Sequence, residues 1–412
     1  MAQAAAIRAV NADGSLLRPA DFASVRAAID LHARYLNGHP GGRRADFSHL
    51  DLSNFALDGV DLRYAEMAGA RLCGALLSQA KLDDAVLYGA DLRDCDLRAA
   101  SLARADIRGA CLRGANLAGA DLADADLREG VIAVQDVANG FHILRHGERA
   151  GELDYAVIDG ANLSGVQTNE GLVVATDFTD AVLAGARLAR ARMVRTVLDG
   201  ADLSGADLMQ ADLAGSSMKR AVLTGVDTSS ANLQDADLTG ALRAPPPLLY
   251  IDDEPLHELV AAHELWCDSH GLEGRPVRLP ETDFRCMRSL NGRRLTALHA
   301  PGSIFFGVSM ERAHLQGCEL SGADLRGAKL KGADLRGAKL VGADLTRADL
   351  TDADLRPLAI SEGRFIRADL SRAKLNQAVL SGARLVRTRL LEAEMSGARL
   401  DGADVTGAEL DL

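Results

Sequence analysis

Carboxylates are the most plentiful potential chemistry in this chain, with 58 Asp and Glu side chains among 412 residues. Paired carboxylates do general acid–base work, so their placement is the first question. Many stand directly before a leucine, as in Asp91-Leu92, Asp96-Leu97 and Asp121-Leu122. Dozens of equivalent positions cannot all be catalytic, and a single solvent-facing slot of a repeat accounts for them. Asp121, Asp124 and Asp126 resemble the opening of a calcium loop, but no Gly and terminal Glu follow at EF-hand spacing. His257-Glu258 suggests a zinc-protease helix, yet the next histidine is His263. That separation turns the helix by ~600° at ~100° per residue and takes the rings off one face. His32 and His39 have no nearby Cys or further His to complete a metal site, and read as surface or packing residues. The six cysteines show neither C-x-x-C nor the spacing of a secreted framework, which fits reduced thiols in the cytosol. There is no Walker motif and no G-x-S-x-G, and the glycines recur by fives without opening a helix. The expectation is a protein with no catalytic, cofactor-binding or metal-ligating residues, and so not an enzyme.

The elements that carry these residues follow from one stretch. From Ala80 to Leu127, the positions Leu82, Leu87, Leu92, Leu97, Leu102, Ile107, Leu112, Leu117, Leu122 and Leu127 recur by fives, and two residues before each stands Ala or, once, Cys95. On a helix a step of five rotates ~140° and scatters the leucines around the axis. On a flat strand successive leucines would alternate between faces. The pattern works only if the chain turns a corner once per repeat, with Leu and the small residue inward and the other three outward. These tandem A-D/N-L-x-x units resemble the pentapeptide repeat family. The resemblance implies an all-β solenoid, a right-handed quadrilateral β-helix with four repeats per square coil and Ala, Cys or Ser at each inner corner. Gly suits the outward corners, and an aromatic content of 4% suits an interior expected to be too narrow for rings.

The chain divides into two tandem modules, each preceded by a short α-helix. Residues 1–44 form an N-terminal segment in which Pro19 to Leu36 reads as a capping helix, with Pro19 in its first turn and Phe22, Val25, Ile29, His32 and Leu36 on one face. Residues 45–240 form the first solenoid. Its early small-residue slots hold Leu50, Phe55 and Val60, which predicts wider coils there. The register fails over 128–152, where Val131 to Val134 and Phe141 to Leu144 flank Asn139-Gly140, a short hairpin signal. It resumes near Leu153 or Ile158 and continues past Thr168, Val173 and Thr228. Residues 241–276 hold the Ala244-Pro-Pro-Pro247 stop and a second helix over 252–270, with Leu256, Leu259, Val260, His263 and Trp266 at helical spacing. Both helices carry one motif, His32-x-x-Tyr35-x-x-x-His39 and His263-x-x-Trp266-x-x-x-His270. Residues 277–412 form the second solenoid, slipping by one at Leu290 and then counting by fives to Leu410, even through Pro357, Ile360 and Phe365.

Charge separates the modules. Residues 45–127 carry 14 acidic and 8 basic side chains, 153–240 carry 12 and 6, and 303–412 carry 16 of each. With no basic stripe, direct nucleic-acid binding is not expected. Neither is membrane insertion, since no run nears the ~20 apolar residues of a spanning helix and Met1 to Val10 lacks a signal-peptide core. A soluble, cytoplasmic, bacterial-type scaffold for protein–protein interaction is expected, its partner unknown. Its contact surfaces are expected at the 128–152 insertion, with Asn139, Gly140, Phe141 and His142, at 241–276, and on the acidic faces of the first solenoid. The resemblance also implies an alternative: some members mimic DNA and bind type II topoisomerases such as gyrase, altering quinolone or toxin sensitivity. With no capping helix after Leu410, a homodimer through the C-terminal coil is expected.

Overall fold

The computed structural model describes residues 18–410 apart from 129–131, 137–139, 145–152, 154, 155, 157, 159, 160, 164, 168–172, 174 and 362. Each pentad is a tight turn. The amide of the small residue donates to the preceding leucine carbonyl, as Ala65 N–H does to Leu62 at 3.0 Å, and the residue two after the leucine takes positive φ, as Asp84 does at 56°. Positive φ in the third position of a turn favours Gly, and Asp and Asn tolerate it next best. Four such turns close one coil, because parallel backbone bridges join residues twenty apart, Asp46 to Glu66 and Asp91 to Cys111 among them. The chain is therefore a β-solenoid of four repeats per coil, with its hydrogen bonds running from coil to coil.

Two units make up the chain, residues 1–244 and 245–412, each with its own apolar core. In both, the leucine and the small residue are buried along the ladder. Several polar small residues bond a carbonyl of the coil below. Thr176 Oγ1 donates to Leu153, Ser303 Oγ to Leu279 and Cys95 Sγ to Leu72, at 2.6, 2.7 and 2.9 Å. Aromatic rings do enter the interior, contrary to expectation: Phe47, Phe178, Phe284 and Phe305 fill leucine slots and are buried. Phe284 and Phe305 stack at 4.3 Å with their planes 15° apart. A flat ring fits a repeat of ~4.8 Å along the axis, the spacing of neighbouring strands.

Helix α1 spans Phe22–Leu36, with Asp21 as its cap accepting from Ser24 N–H at 3.1 Å. Pro19 thus lies outside the helix, and it pairs with Asp51 in a short parallel bridge instead. Leu50, Phe55 and Val60 sit at the lower rim of the first unit, only partly buried, and Phe22 of α1 stacks on Phe55 at 6.2 Å. Helix α2 spans Leu256–Asp268 and buries Leu256, Leu259, Val260 and His263. The one-residue slip is absorbed by a 3-10 turn at Phe284–Met287: bridges step by 21 at Arg278–His299 and Asp283–Ile304, then by 20 from Ser289–Ser309 to Asp334–Asp354.

Two hairpins leave the coils. Asp121 bridges Asn162 and Asp126 bridges Gln167, a step of 41 that brackets an antiparallel hairpin of Ile132–Asp136 and Gly140–Leu144. In the second unit Lys339 bridges Asp369 and Asp354 bridges Arg384, a step of 30 where 20 is the rule. The ten extra residues form a hairpin of Leu358–Ser361 and Arg364–Ile366. The count of five runs through this segment unbroken, yet Ile360 and Phe365 are not coil positions. An insertion of two pentads' length leaves the numbering intact while the backbone departs from the coil.

Candidate interaction surfaces

The outward carboxylates do local structural work. In Asp-Leu-Arg triplets the aspartate folds back over its own turn. Asp96 Oδ1 accepts from Arg98 N–H at 3.2 Å and from its Nε at 2.8 Å, while Oδ2 accepts from the other guanidinium nitrogen at 2.6 Å. Asp61–Arg63, Asp106–Arg108, Asp126–Arg128, Asp334–Arg336 and Asp354–Arg356 repeat this pairing. Where Ser or Thr stands in place of Arg, its amide donates and in several repeats its hydroxyl does too, as Thr239 does to Asp237 at 3.0 and 2.6 Å. The bonds from Arg98 and Arg63 hold the Asp96 and Asp61 carboxyls below their ordinary value. Asp324–Arg326 is the most enclosed pair: the Arg326 side chain is buried and lies over the Phe306 ring at 5.5 Å. The aspartate slot is thus half-buried and hydrogen-bonded rather than simply solvent-facing, and its charge is partly compensated even in the first unit.

The remaining chemistry is subdued. Burial pushes the Cys95 thiol up to about 12 and the Cys318 thiol higher still, so both stay protonated and unreactive in their inner corners. The described cysteines are all free thiols. Among the described residues no group of three His, Cys, Asp or Glu is placed to hold a metal, and no helix is long and apolar enough to cross a membrane.

Of the residues singled out in the first insertion, Asn139 lies outside the described residues. Gly140, Phe141 and His142 stand on the second strand of the hairpin, opposite Asp136, Gln135 and Val134. Gly140 is therefore paired strand.

The hairpin at 358–366 is the feature that residue counting missed. It folds back over one edge of the coils beneath it. A Cβ built on Gly337 would meet Leu358 Cβ at 2.8 Å, and one on Gly317 would meet Leu358 Cδ2 at 3.5 Å. Glycine at 337 is what lets the hairpin lie flat there. Ile366 lies against Gly337 beside Leu358 and is 38% exposed, while Ile360 and Phe365 are the most exposed apolar side chains of the hairpin, at 49% and 59%. Their apolar character was visible in the sequence, since Pro357-Leu-Ala-Ile-Ser and Gly363-Arg-Phe-Ile lack the Asp-Leu core of the neighbouring repeats.

Bridges at twenty-residue steps, inward leucines and small inner corners define a solenoid of five-residue repeats. The pentapeptide repeat family pattern matches eight segments, residues 43–79, 80–118, 112–130, 176–215, 206–242, 303–340, 328–356 and 364–410. More than half of the chain lies inside them, and the chain belongs to that family. No curated protein sequence matches it. Among solved structures it is similar to HetL, a pentapeptide repeat protein involved in heterocyst differentiation regulation from the cyanobacterium Nostoc, at 21% identity over 92% of each chain with a TM-score of 0.18. It is similar to QnrB1, a plasmid-mediated fluoroquinolone resistance protein, at 18% identity over 49% of this chain and 89% of that one, TM-score 0.23. A pentapeptide repeat protein of the Arabidopsis thaliana thylakoid lumen shares 34% identity over 23% of this chain and 59% of its own, TM-score 0.20. The family assignment rests on the repeats and not on these superpositions.

Proposed function

We propose that this protein is a non-enzymatic, cytoplasmic scaffold, a right-handed square solenoid that presents hairpins to a protein partner. Members of the family are in general structural and interaction proteins. The observation that carries the reading is the hairpin at 358–366, which interrupts no coil bridge and leaves Ile360 and Phe365 in solvent. Exposed apolar side chains grouped on a projecting element contribute little to folding, and such groups mark contact surfaces. The first insertion, with Gly140, Phe141 and His142, is proposed as a second contact arm. The test is affinity capture with the full chain against a Phe365→Ser, Ile360→Ser variant and a variant lacking 128–152. A partner retained equally by all three would defeat the proposal.

Charge motivates the alternative, binding to a type II topoisomerase in place of DNA. Acidic residues outnumber basic ones by 14 to 8 over 45–127 and by 12 to 6 over 153–240. A gyrase supercoiling assay with and without quinolone decides between them: dose-dependent inhibition or protection favours the alternative, and no effect at micromolar concentration favours the general scaffold. Self-association through the last coil is part of the proposal, because Leu400, Val405 and Leu410 are exposed at its rim. A monomer by light scattering at micromolar concentration would remove that part.

A further inference from the structure

Among the described residues the first coil of each unit takes no coil-to-coil bridge from an earlier pentad, so some of its ladder groups lack their usual partners. Throughout the solenoid the amide of the small inward residue donates to the leucine carbonyl of the preceding pentad. Ala45 is the first such residue of its unit, and no repeat leucine precedes it. Its amide donates instead to Nδ1 of His32, on α1, at 3.0 Å. A carbonyl just after a leucine ordinarily accepts from a backbone amide one coil below, as Asp83 accepts from Tyr64 N–H at 3.0 Å. At the base of the first unit Arg63 O lies 3.0 Å from His32 Nε2. The second unit repeats the arrangement. Val277 N–H donates to His263 Nδ1 at 3.2 Å, and His263 Nε2 lies 3.1 Å from Thr296 O. One imidazole therefore replaces both a missing carbonyl and a missing amide, and this happens twice in one chain.

The chemistry of that substitution is strict. A ring nitrogen that accepts from an amide carries no proton, so each ring is neutral with its proton on Nε2, donating to the carbonyl. A second proton has only Nδ1 to go to, where an N–H already points at it. We infer that His32 and His263 are acid-released latches: protonation sets two donors against each other and unseats α1 and α2 from the coils they cap. Among the described residues the hydrogen-bond contact at Nδ1 of each ring is the backbone amide. His32 stacks on Tyr35 and feels Asp61, which favours its protonation, and Arg44 and Arg63, which oppose it. His263 lies tilted against Trp266 at 5.6 Å and feels Glu264, itself paired with Arg293, while the Cys267 thiol shares the Thr296 carbonyl. Burial lowers both imidazoles from the ordinary 6.5, as expected of rings that must stay neutral. Release would bare Leu50, Phe55 and Val60 at one rim and Val277 and Leu279 at the other, turning closed ends into adhesive ones.

Trp266 is the only tryptophan, so its emission reports on α2 alone. Titrating the full chain from about pH 7.5 to about pH 5 spans the range in which histidine charges. The expected result is a sigmoidal change in Trp266 emission with loss of helical dichroism and retention of the β signal. Hydrogen-exchange protection of the Ala45 and Val277 amides should fall by about tenfold per pH unit below the midpoint, while that of Leu335 holds. In His263→Gln the Trp266 transition should vanish. An unchanged Trp266 signal in the wild type, or the same transition in His263→Gln, overturns the inference. Should the variant not fold, constant protection of Ala45 and Val277 in the wild type overturns it alone.

Discussion

At the scale of single residues, the inward leucine of a middle coil is closed off above and below. Leu335 is fully buried, and its amide bonds Asp354 of the next coil at 2.8 Å. Leu335→Ala should cost about 2–5 kcal/mol, since packed coils cannot collapse into the gap. Leu410→Ala, at a rim position 41% exposed, should cost far less. Urea unfolding of the two variants side by side checks the contrast. The carboxylates make a prediction in pH. Because the folded Asp61 and Asp96 lie below the ordinary 3.8, both states are charged above that value and the stabilisation is complete. As pH falls through the window beneath 3.8, the unfolded chain takes up protons first and stability drains away. Thermal melts across that window should show Asp96→Asn losing less on acidification than the wild type does. The inward slots were legible in sequence because only a few shapes fit them. The outward aspartates were harder to read, because nothing in a repeat count shows a carboxylate bending back onto its own amide. The Arg two residues on, as in Asp334-Leu335-Arg336, was the available signal.

Among the elements, both cap helices could be read from apolar residues at helical spacing, and the shared histidine motif marked them as equivalents. Pro19 was misplaced because a residue suited to a first helical turn is equally suited to an edge bridge that needs no N–H from it. The hairpin at 358–366 was illegible for an arithmetic reason, being two pentads long. Deleting Leu358 to Arg367 joins Pro357 to Ala368 and restores Leu355-x-x-Ala-Asp-Leu. That variant should keep its β-solenoid spectrum and lose only the small contribution of exposed contacts such as Arg367–Glu409, ~0–1 kcal/mol by calorimetry. Collapse of the fold would show that the segment belongs to the coil. Gly337→Val and Gly327→Val form a matched pair, since φ is 65° and 61° but only Gly337 has Leu358 against it. The first should be the more destabilised by melting temperature, and equal losses would place the hairpin off that edge.

For the whole molecule, two units with separate cores imply two foldable pieces. Residues 1–244 and 245–412 produced separately should each be soluble and melt cooperatively, and aggregation of either would count against their independence. The stop at three prolines and the return of the helix motif were visible in sequence, because repetition at long range survives drift in single positions. Register arithmetic has a wider consequence for how such a chain acquires surfaces. Where the backbone is a counted spiral, a segment inserted at a corner disturbs neither the coil below nor the coil above, provided the chain returns to the same phase. The seam between Pro357 and Ala368 is therefore a socket, a place where unrelated sequence can be exchanged like a cassette while the spiral supplies rigidity. Variation at such seams separates the invention of recognition from the maintenance of the fold.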